Sequence, residues 1–272
     1  MLCAGSFPCR AADGIADIEK ALGGRIGIAA INPASHRSFR HRSHERFAMC
    51  STFKASLAAM ILRRAESGAL SLEETIAYGK ADLLPTSSVT AAHVDQGSLS
   101  IEELCQAAVE VSDNAAANLL LRRIDGPAQL TEFFRSIGDK VSRLDRMELE
   151  LNFNEPGDPR DTTTPDAMIE DLKAFLLSDQ VLTPPSRDRL TRWMINEQNG
   201  RNRIRSAVPP FWKVANKPGT NANGAVNDIA VVWPEGGSPI AICIYTDAPG
   251  ATLTRSTDAI AAAAKAALAQ IL

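Results

Sequence analysis

The chain has 272 residues, of which 45% are hydrophobic, and its formal net charge is −3 at pH 7. A chain of this length supports one large hydrophobic core or two smaller ones, and we expect a two-lobed soluble protein. The slightly acidic balance gives no global positive field. The composition therefore argues against sequence-independent nucleic-acid binding and leaves small neutral or anionic ligands open.

Membrane insertion is not expected either. No apolar stretch approaches the roughly 18 residues that span a bilayer, and the Ala-rich segment 258–272 is shorter and interrupted by Lys265. Residues 1–10 lack the charged start and the long apolar run of a signal peptide. The sequence therefore indicates either a cytoplasmic protein or an exported one whose export segment is absent from this chain.

The cysteines and histidines predict neither a disulfide framework nor a metal centre. Five scattered cysteines are too few for a disulfide scaffold, and their odd number leaves at least one thiol free. His41 and His44 lie in a basic segment without a metal-binding spacing. We expect a polar, solvent-facing strand there and no metal site.

The first predicted elements are a helix and a hairpin. Apolar residues recur at helical spacing over 15–22 and stop at Gly23-Gly24. The short β-branched run 25–31 predicts a strand, and a turn at Asn32-Pro33 connects it to a second, polar strand over 38–47.

The middle of the chain is predicted to be helical, and strands return only near its end. Helical periodicity covers six segments, separated by Gly, Pro or Asn clusters: 51–67, 101–108, 114–124, 128–137, 166–178 and 186–195. Three short apolar runs predict strands before the terminal helix: 211–215, 229–233 and 240–246. Strands at both ends of the chain should share one sheet, against which the first and last helices pack.

One segment, residues 143–165, breaks this pattern. It is rich in charge, Asn and Pro and has no sustained period. A structureless loop of this length in a compact domain is usually functional. We therefore interpret this omega-type loop as a candidate wall of an active site.

Ser51 and Lys54 have the spacing of an activated nucleophile. A serine hydroxyl attacks poorly until a base takes its proton, and a lysine three residues later on a helix lies one turn away on the same face. If Ser51 opens the helix, the helix dipole stabilises an anion there and favours a neutral lysine. The pair alone is weak evidence, because Ser-x-x-Lys arises easily by chance.

Other residues strengthen this interpretation by their order along the chain. Ser112-Asp113-Asn114 opens another predicted helix, Glu148 lies in the omega-type loop, and Lys217-Pro218-Gly219-Thr220 borders a C-terminal strand. Helix caps and solvated charges alone do not explain this joint order.

In these residues the sequence resembles the class A serine β-lactamases, whose Ser-x-x-Lys, Ser-Asp-Asn and Lys-Thr-Gly motifs recur in this order. The resemblance covers nearly the whole chain, and residues 146–152 match the family pattern Arg-x-Glu-x-x-Leu-Asn. It implies an α/β fold of the α+β type, with an antiparallel sheet flanked by the terminal helices and an all-helical lobe. We assign 1–46 and 200–272 to the sheet lobe and 47–199 to the helical lobe, with the active site between them.

The resemblance also implies the roles of the reacting groups. Ser51 is expected to open the β-lactam ring, and the backbone N–H groups of Ser51 and Thr220 to form the oxyanion hole. Either Lys54 or Glu148, acting through a water, is expected to deprotonate Ser51. Ser112 is expected to pass a proton to the lactam nitrogen.

The remaining implied roles concern deacylation and binding. Glu148 and Asn152 are expected to hold the water that hydrolyses the acyl-enzyme, and an Arg146–Asp161 ion pair to close the loop. The substrate-binding residues implied by the resemblance are Asn114, Asn152, Lys217, Gly219, Thr220 and Arg203. For Arg203, a solvated arginine at a helix end is the alternative.

Pro218 departs from the family, which has Thr or Ser between the Lys and the Gly. Proline provides neither a hydroxyl nor an N–H for the substrate carboxylate. Losing one charge-assisted hydrogen bond costs roughly 1.5–3 kcal/mol of binding. We therefore expect reduced activity toward penicillins and cephalosporins, partly offset by Thr220 and Arg203.

Three further departures concern the rim and the crosslinks of the site. Thr86 occupies the position of an aromatic gate in many members. Cys50 and Cys105 match halves of family disulfides whose partner positions are Asn221 and Ala58. We predict that neither disulfide forms.

The leading interpretation is a monomeric, periplasmic or secreted β-lactamase that acts on small-molecule β-lactams without metal or organic cofactor. One alternative is a D-alanyl-D-alanine peptidase-like enzyme or a related esterase, which Glu148 and Asn152 disfavour. The other is a binding or sensor protein that β-lactams acylate without turnover.

Overall fold

The computed structural model describes residues 10–272, with side chains from residue 14 onward. The N-terminal elements are α1 (Arg10–Leu22), β1 (Arg25–Asn32), β2 (Arg37–His41), β3 (Phe47–Ala48) and α2 (Phe53–Glu66). A 3-10 turn at Cys50–Thr52 leads into α2.

The central elements are mostly helices: β4 (Thr75–Ala77), α3 (Ser88–Ala92), β5 (Ser98–Ser100), α4 (Ile101–Glu110), α5 (Asn114–Arg123), α6 (Pro127–Ser136), β6 (Thr162–Thr163), α7 (Pro165–Leu176) and α8 (Pro184–Ile195). The chain then forms β7 (Lys213–Thr220), β8 (Val226–Trp233), β9 (Ile240–Asp247) and α9 (Leu253–Ile271).

A five-stranded antiparallel sheet joins the two ends of the chain, in the order β2-β1-β9-β8-β7. At its centre, Cys243 of β9 lies opposite Ala29 of β1 on one side and opposite Ile229 of β8 on the other. Strands that are covered on both faces have continuous apolar sequences rather than alternating ones. The apolar segments near both termini have this pattern, and they pair with each other in the buried centre of the sheet.

Each face of the sheet contributes to a different hydrophobic cluster. On one face, Ile28 and Ile242 pack with Ile15 of α1 and Ile260 of α9. On the other face, residues such as Tyr245 belong to a larger cluster that includes α2, α4, α5 and α7. The lobe boundaries that we assigned stay a prediction.

The predicted order of the major helices and strands agrees with the structure, but two predictions about strands were wrong. Strands do occur in the middle of the chain, where β4 pairs with β5 and β3 pairs with β6. The single strand predicted over 38–47 is divided. β2 ends at His41, Arg42 turns away with φ +44°, and Phe47 lies opposite Thr163 in a separate ladder.

The two histidines of this segment contact carboxylates. His41 Nε2 lies 3.2 Å from Glu19 Oε2, and His44 Nδ1 lies 2.9 Å from Asp166 Oδ2. Over residues 10–272, no group of three or more metal-binding side chains forms. No helix in the same range has the length and apolarity that crossing a bilayer requires.

A buried pair of acids is predicted to make the stability depend on pH. Asp171 of α7 is 2% exposed, and burial and the neighbouring Asp139 carboxylate raise the pKa of Asp171 well above its usual range. The folded state therefore retains a proton that the unfolded chain releases near pH 4. The free energy of unfolding should fall as the pH rises above that value, until Asp171 ionises in the folded state.

Asp171→Asn keeps the shape and donates a hydrogen bond without binding a proton. We expect it to raise the free energy of unfolding at pH 8 by roughly 1–2 kcal/mol and to flatten its decline between pH 5 and pH 8. Urea unfolding at several pH values measures this. Asp188→Asn, the same change at an exposed residue of α8, is the control. Parallel pH profiles for the wild type and Asp171→Asn would contradict the prediction.

Candidate active site

A cleft of about 350 Å³ brings together residues from six segments of the chain that are distant in sequence. The predicted site residues that line it are Ser51, Ser112, Asn114, Glu148, Asn152, Arg203, Gly219 and Thr220. Lys54 and Lys217 are fully buried and do not line the cleft. Arg146 and Asp161 lie within the omega-type loop, away from the opening.

Ser51 is presented by a tight turn. It lies in the 3-10 turn before α2, so the helix begins two residues later than predicted, and Cys50 before it has φ +46°. Gly219 of β7 packs against this turn. A Cβ at Gly219 would lie 2.8 Å from Met49 O and 3.1 Å from Ser51 N. Glycine is therefore required for the close approach of β7 to the nucleophile.

Lys54 is the hub of the site. Its ammonium group donates to Ser112 O at 2.9 Å and to Asn114 Oδ1 at 2.5 Å, and it lies 3.0 Å from Glu148 Oε1. The side chain of Lys54 is 0% exposed and that of Glu148 is 1% exposed. Lys54 thus links α2 to the omega-type loop through a buried ion pair, and to the start of α5 through hydrogen bonds.

Asp113 shapes the turn that carries Ser112, which has φ +61°. The carboxylate of Asp113 caps α5 by accepting from Ala116 N at 2.9 Å. It also accepts from Val89 N and from Thr90 Oγ1, both at 3.0 Å. We assigned no role to Asp113 from the sequence, although an Asp before a helical run is an N-cap signal.

Asn118 of α5 holds the backbone of Glu148, and the sequence analysis missed it. Asn118 Oδ1 accepts from Glu148 N at 2.9 Å, and Asn118 Nδ2 donates to Glu148 O at 2.7 Å. The signal in the sequence is a polar residue one turn after Asn114, between three alanines and three leucines. Its partner lies too far away in sequence to be inferred from spacing.

Glu148 and Asn152 face each other across the loop. Asn152 Nδ2 donates to Glu148 Oε2 at 2.8 Å. Glu148 Oε1 contacts Lys54 in an orientation that forms no hydrogen bond, and Asn152 Oδ1 also has no hydrogen-bond partner within the described part of the chain. Both residues line the cleft with Ser51, and each of these two buried oxygens can still accept a hydrogen bond.

The Arg146–Asp161 pair ties the omega-type loop together at 2.5 Å. Asp161 Oδ1 accepts from Asp145 N and Arg146 N at 2.7 and 3.0 Å. Burial raises the pKa of the Asp161 carboxyl above its usual value, and these hydrogen bonds oppose that rise. Asp161 O also accepts from Met49 N at 2.9 Å, which connects the loop to the turn of Ser51.

Two buried cations, Lys217 of β7 and Arg203, lie on this side of the site. Burial lowers the pKa of Lys217 to about 7, while the Glu197 carboxylate acts in the opposite direction. Arg203 is only 5% exposed and donates to Gly219 O at 2.9 Å and to Thr220 Oγ1 at 2.7 Å. The alternative of a solvated arginine is therefore wrong, because Arg203 is part of the support of β7.

Pro218 and the cysteine positions also have defined surroundings. β7 is an edge strand, where the sheet tolerates a proline because one side of the strand needs no ladder partner.

Cys50, Cys105 and Cys243 are buried free thiols, and Cys3 and Cys9 lie outside the described residues. Asn221 Nδ2 donates to Asn152 O at 3.1 Å, which links β7 to the omega-type loop. Thr86 lines the cleft.

Comparison with known proteins gives relatives along almost the entire chain. The model of the beta-lactamase enzyme family matches residues 10–271. The carbapenem-hydrolyzing beta-lactamase KPC of Klebsiella oxytoca is 45% identical over 94% of this chain and 87% of its own length. Beta-lactamase Toho-1 of Escherichia coli is 42% identical over 91% of this chain and 84% of its own.

Solved structures share the fold. The class A beta-lactamase of the last common ancestor of Gram-negative bacteria has a TM-score of 0.93 at 47% identity and covers 96% of this chain and 99% of its own. A beta lactamase from Burkholderia vietnamiensis has a TM-score of 0.92 at 43% identity, with 97% of each chain covered.

These likenesses confirm the predicted α/β fold class and the family resemblance. The chain therefore belongs to the beta-lactamase enzyme family and, within it, to the class A serine β-lactamases, which hydrolyse β-lactam antibiotics.

Proposed function

We propose that Ser51 attacks the carbonyl carbon of a penicillin- or cephalosporin-type β-lactam and that Glu148 directs the hydrolysis of the resulting ester. The observation that carries this assignment is the buried Lys54 hub, which contacts Ser112, Asn114 and Glu148 beside the cleft. Hydrolysis by this route removes the antibiotic activity of the substrate and so confers resistance.

In the acylation step, the Ser51 hydroxyl loses its proton to a base as Oγ bonds to the lactam carbonyl. Either Lys54, in its neutral form, or Glu148, acting through a water, is proposed to take that proton. The oxyanion is proposed to accept from the N–H groups of Ser51 and Thr220. The lactam C–N bond then breaks, and the nitrogen receives a proton through Ser112, whose Oγ lies 3.5 Å from Lys54 Nζ.

In the deacylation step, a water gives a proton to Glu148 as its oxygen bonds to the ester carbonyl carbon. The bond between this carbon and Ser51 Oγ then breaks, and Ser51 Oγ takes up the proton from Glu148. The Glu148 carboxylate and the Asn152 Oδ1 acceptor belong to residues that line the cleft with Ser51, which supports this role, because a water bound to both would lie next to a general base. Asn118 and the Arg146–Asp161 clamp fix Glu148 from its backbone side. No metal or organic cofactor enters this scheme.

The substrate carboxylate is proposed to bind near Lys217 and Thr220. Arg203 donates to Thr220 Oγ1, so this hydroxyl acts as an acceptor there and keeps its own hydrogen for the substrate. Arg203 therefore orients the Thr220 hydroxyl and adds a buried positive charge near the proposed carboxylate site. Asn114 donates one Nδ2 hydrogen to Pro85 O at 2.8 Å and retains the second for the acyl-side-chain amide. Gly219 is proposed to border the bound substrate.

We also propose that the enzyme acts as a monomer in the periplasm or outside the cell. Both the monomeric state and the location rest on the family resemblance. Fractionation of cells that express the natural gene would test it, because activity confined to the cytoplasm would contradict it.

Nitrocefin turnover tests the two chemical steps. Ser51→Ala should reduce hydrolysis by at least about a thousandfold, because it removes the nucleophile. Glu148→Gln should accumulate an acyl-enzyme that intact mass spectrometry detects. Glu150→Gln, at an exposed residue of the same loop, is the matched control and should turn over normally. A one-equivalent burst from the wild type would instead support the acylated sensor.

Substitution at Pro218 tests the missing hydroxyl. Pro218→Thr should lower KM for benzylpenicillin about tenfold, because it restores a hydrogen bond to the substrate carboxylate. Pro218→Ala is the control, since it restores the N–H but not the hydroxyl. An equal gain in both variants would assign the effect to the backbone, and unchanged kinetics in Pro218→Thr would refute the prediction.

A further inference from the structure

The rim of the cleft carries an exposed aromatic side chain with no structural explanation. Four large hydrophobic residues of the described chain are strongly exposed: Phe153, Phe211, Leu253 and Leu272. Only Phe153, which is 64% exposed, also lines the cleft. Exposing an aromatic ring to water at the mouth of a binding site is unfavourable, and packing against a bound apolar group would remove that cost.

The backbone of Phe153 is fixed, so its side chain leaves the loop from a defined place. Phe153 N donates to Glu150 O at 3.0 Å, and Phe153 O accepts from Arg146 Nη1 at 2.8 Å. Arg146 is the same residue that forms the loop clamp with Asp161. The loop therefore presents the ring to the cleft from a supported position.

The position of Phe153 indicates which part of a substrate it meets. It directly follows Asn152, whose carbonyl accepts from Asn221 Nδ2 at 3.1 Å, and it lines the same cleft as Asn114 and Thr220. Leu149, Pro85 and Ala222 also line the cleft and add apolar surface. Thr86 lines the cleft as well, and among the described residues that line it Phe153 is the only aromatic one. The acyl side chain is proposed to leave the ring system through the amide near Asn114, and it is the substrate group expected to reach this surface.

We propose that Phe153 is a specificity-determining residue that selects substrates with an aryl acyl side chain by packing against the aryl ring. This inference rests on the proposed function, because it requires Ser51 to be acylated by β-lactams. Offset or edge-to-face packing of two aromatic rings favours such substrates beyond simple area burial. The phenylalanine has only two rotatable side-chain bonds, so ordering it on binding costs little.

The test compares benzylpenicillin, which has an aryl acyl group, with 6-aminopenicillanic acid, which has none. The ratio of the two kcat/KM values is measured for the wild type, Phe153→Ala, Phe153→Leu and the control Phe211→Ala, whose ring is exposed outside the cleft. We expect Phe153→Ala to lower the ratio five- to tenfold, mainly through KM for benzylpenicillin. Phe153→Leu should give a smaller drop, and Phe211→Ala should leave the ratio unaffected.

An equal loss on both substrates would overturn the proposal, because it would assign Phe153 a role in loop structure alone. An unchanged ratio in Phe153→Ala would overturn it as well. If the ester is not hydrolysed, the acylation rates of the same two compounds are measured by intact mass spectrometry. Their ratio then takes the place of the ratio of the kcat/KM values. A failure of turnover is thereby separated from a failure of the aryl selection, and thermal unfolding of each variant verifies that the fold is retained.

Discussion

The buried ammonium group of Lys54 imposes the central constraint on this molecule. Removing a lysine from water carries a large desolvation penalty, which must be offset by an opposite charge and by hydrogen-bond acceptors. Glu148 provides the charge, and oxygens of Ser112 and Asn114 provide the acceptors. Three segments that are distant in sequence must therefore meet at one point. That meeting point lies next to Ser51, so the requirement that buries the lysine also assembles the reacting groups.

The omega-type loop depends on the same principle. An irregular segment has no helix or sheet to satisfy its backbone, so individual side chains perform this task. Asp161 accepts from two backbone N–H groups and pairs with Arg146, while Asn118 satisfies both the N–H and the C=O of Glu148. The carbonyl of Asp161 also binds the turn of the nucleophile. The position of the proposed base is thus fixed relative to Ser51 by hydrogen bonds at both ends of the loop.

The edge strand β7 completes the site from the opposite side. Gly219 permits its close approach, and the buried guanidinium of Arg203 holds Gly219 O and Thr220 Oγ1 from below. Proline at position 218 is compatible with this strand because it lies at the edge of the sheet. Its effect is therefore expected on the substrate rather than on the fold. Because hydrogen bonds fix β7 in this way, we expect substrate selection to depend on other residues that line the cleft, such as Phe153 and Thr86.

Much of this arrangement was predictable from the sequence. The long helices follow from apolar residues at helical spacing, and the sheet follows from apolar runs at both ends of the chain. The ordered set of Ser51, Lys54, Ser112, Glu148 and Lys217 identified the family, because these residue types are dictated by the chemistry. Short strands such as β3 and β6 were missed, since two residues carry no periodicity.

Only the tertiary structure decided which polar residues are buried and what they bind. Arg203 was open between a binding residue and a solvated one, Asp113 had no assigned role, and Asn118 was not recognised. Each of these side chains is stabilised by partners from another part of the chain, such as β7, α3 or the omega-type loop. Local sequence determines periodicity and motif order, because both arise from neighbouring residues. The burial of a charge or an amide depends instead on long-range packing, which only the folded chain establishes.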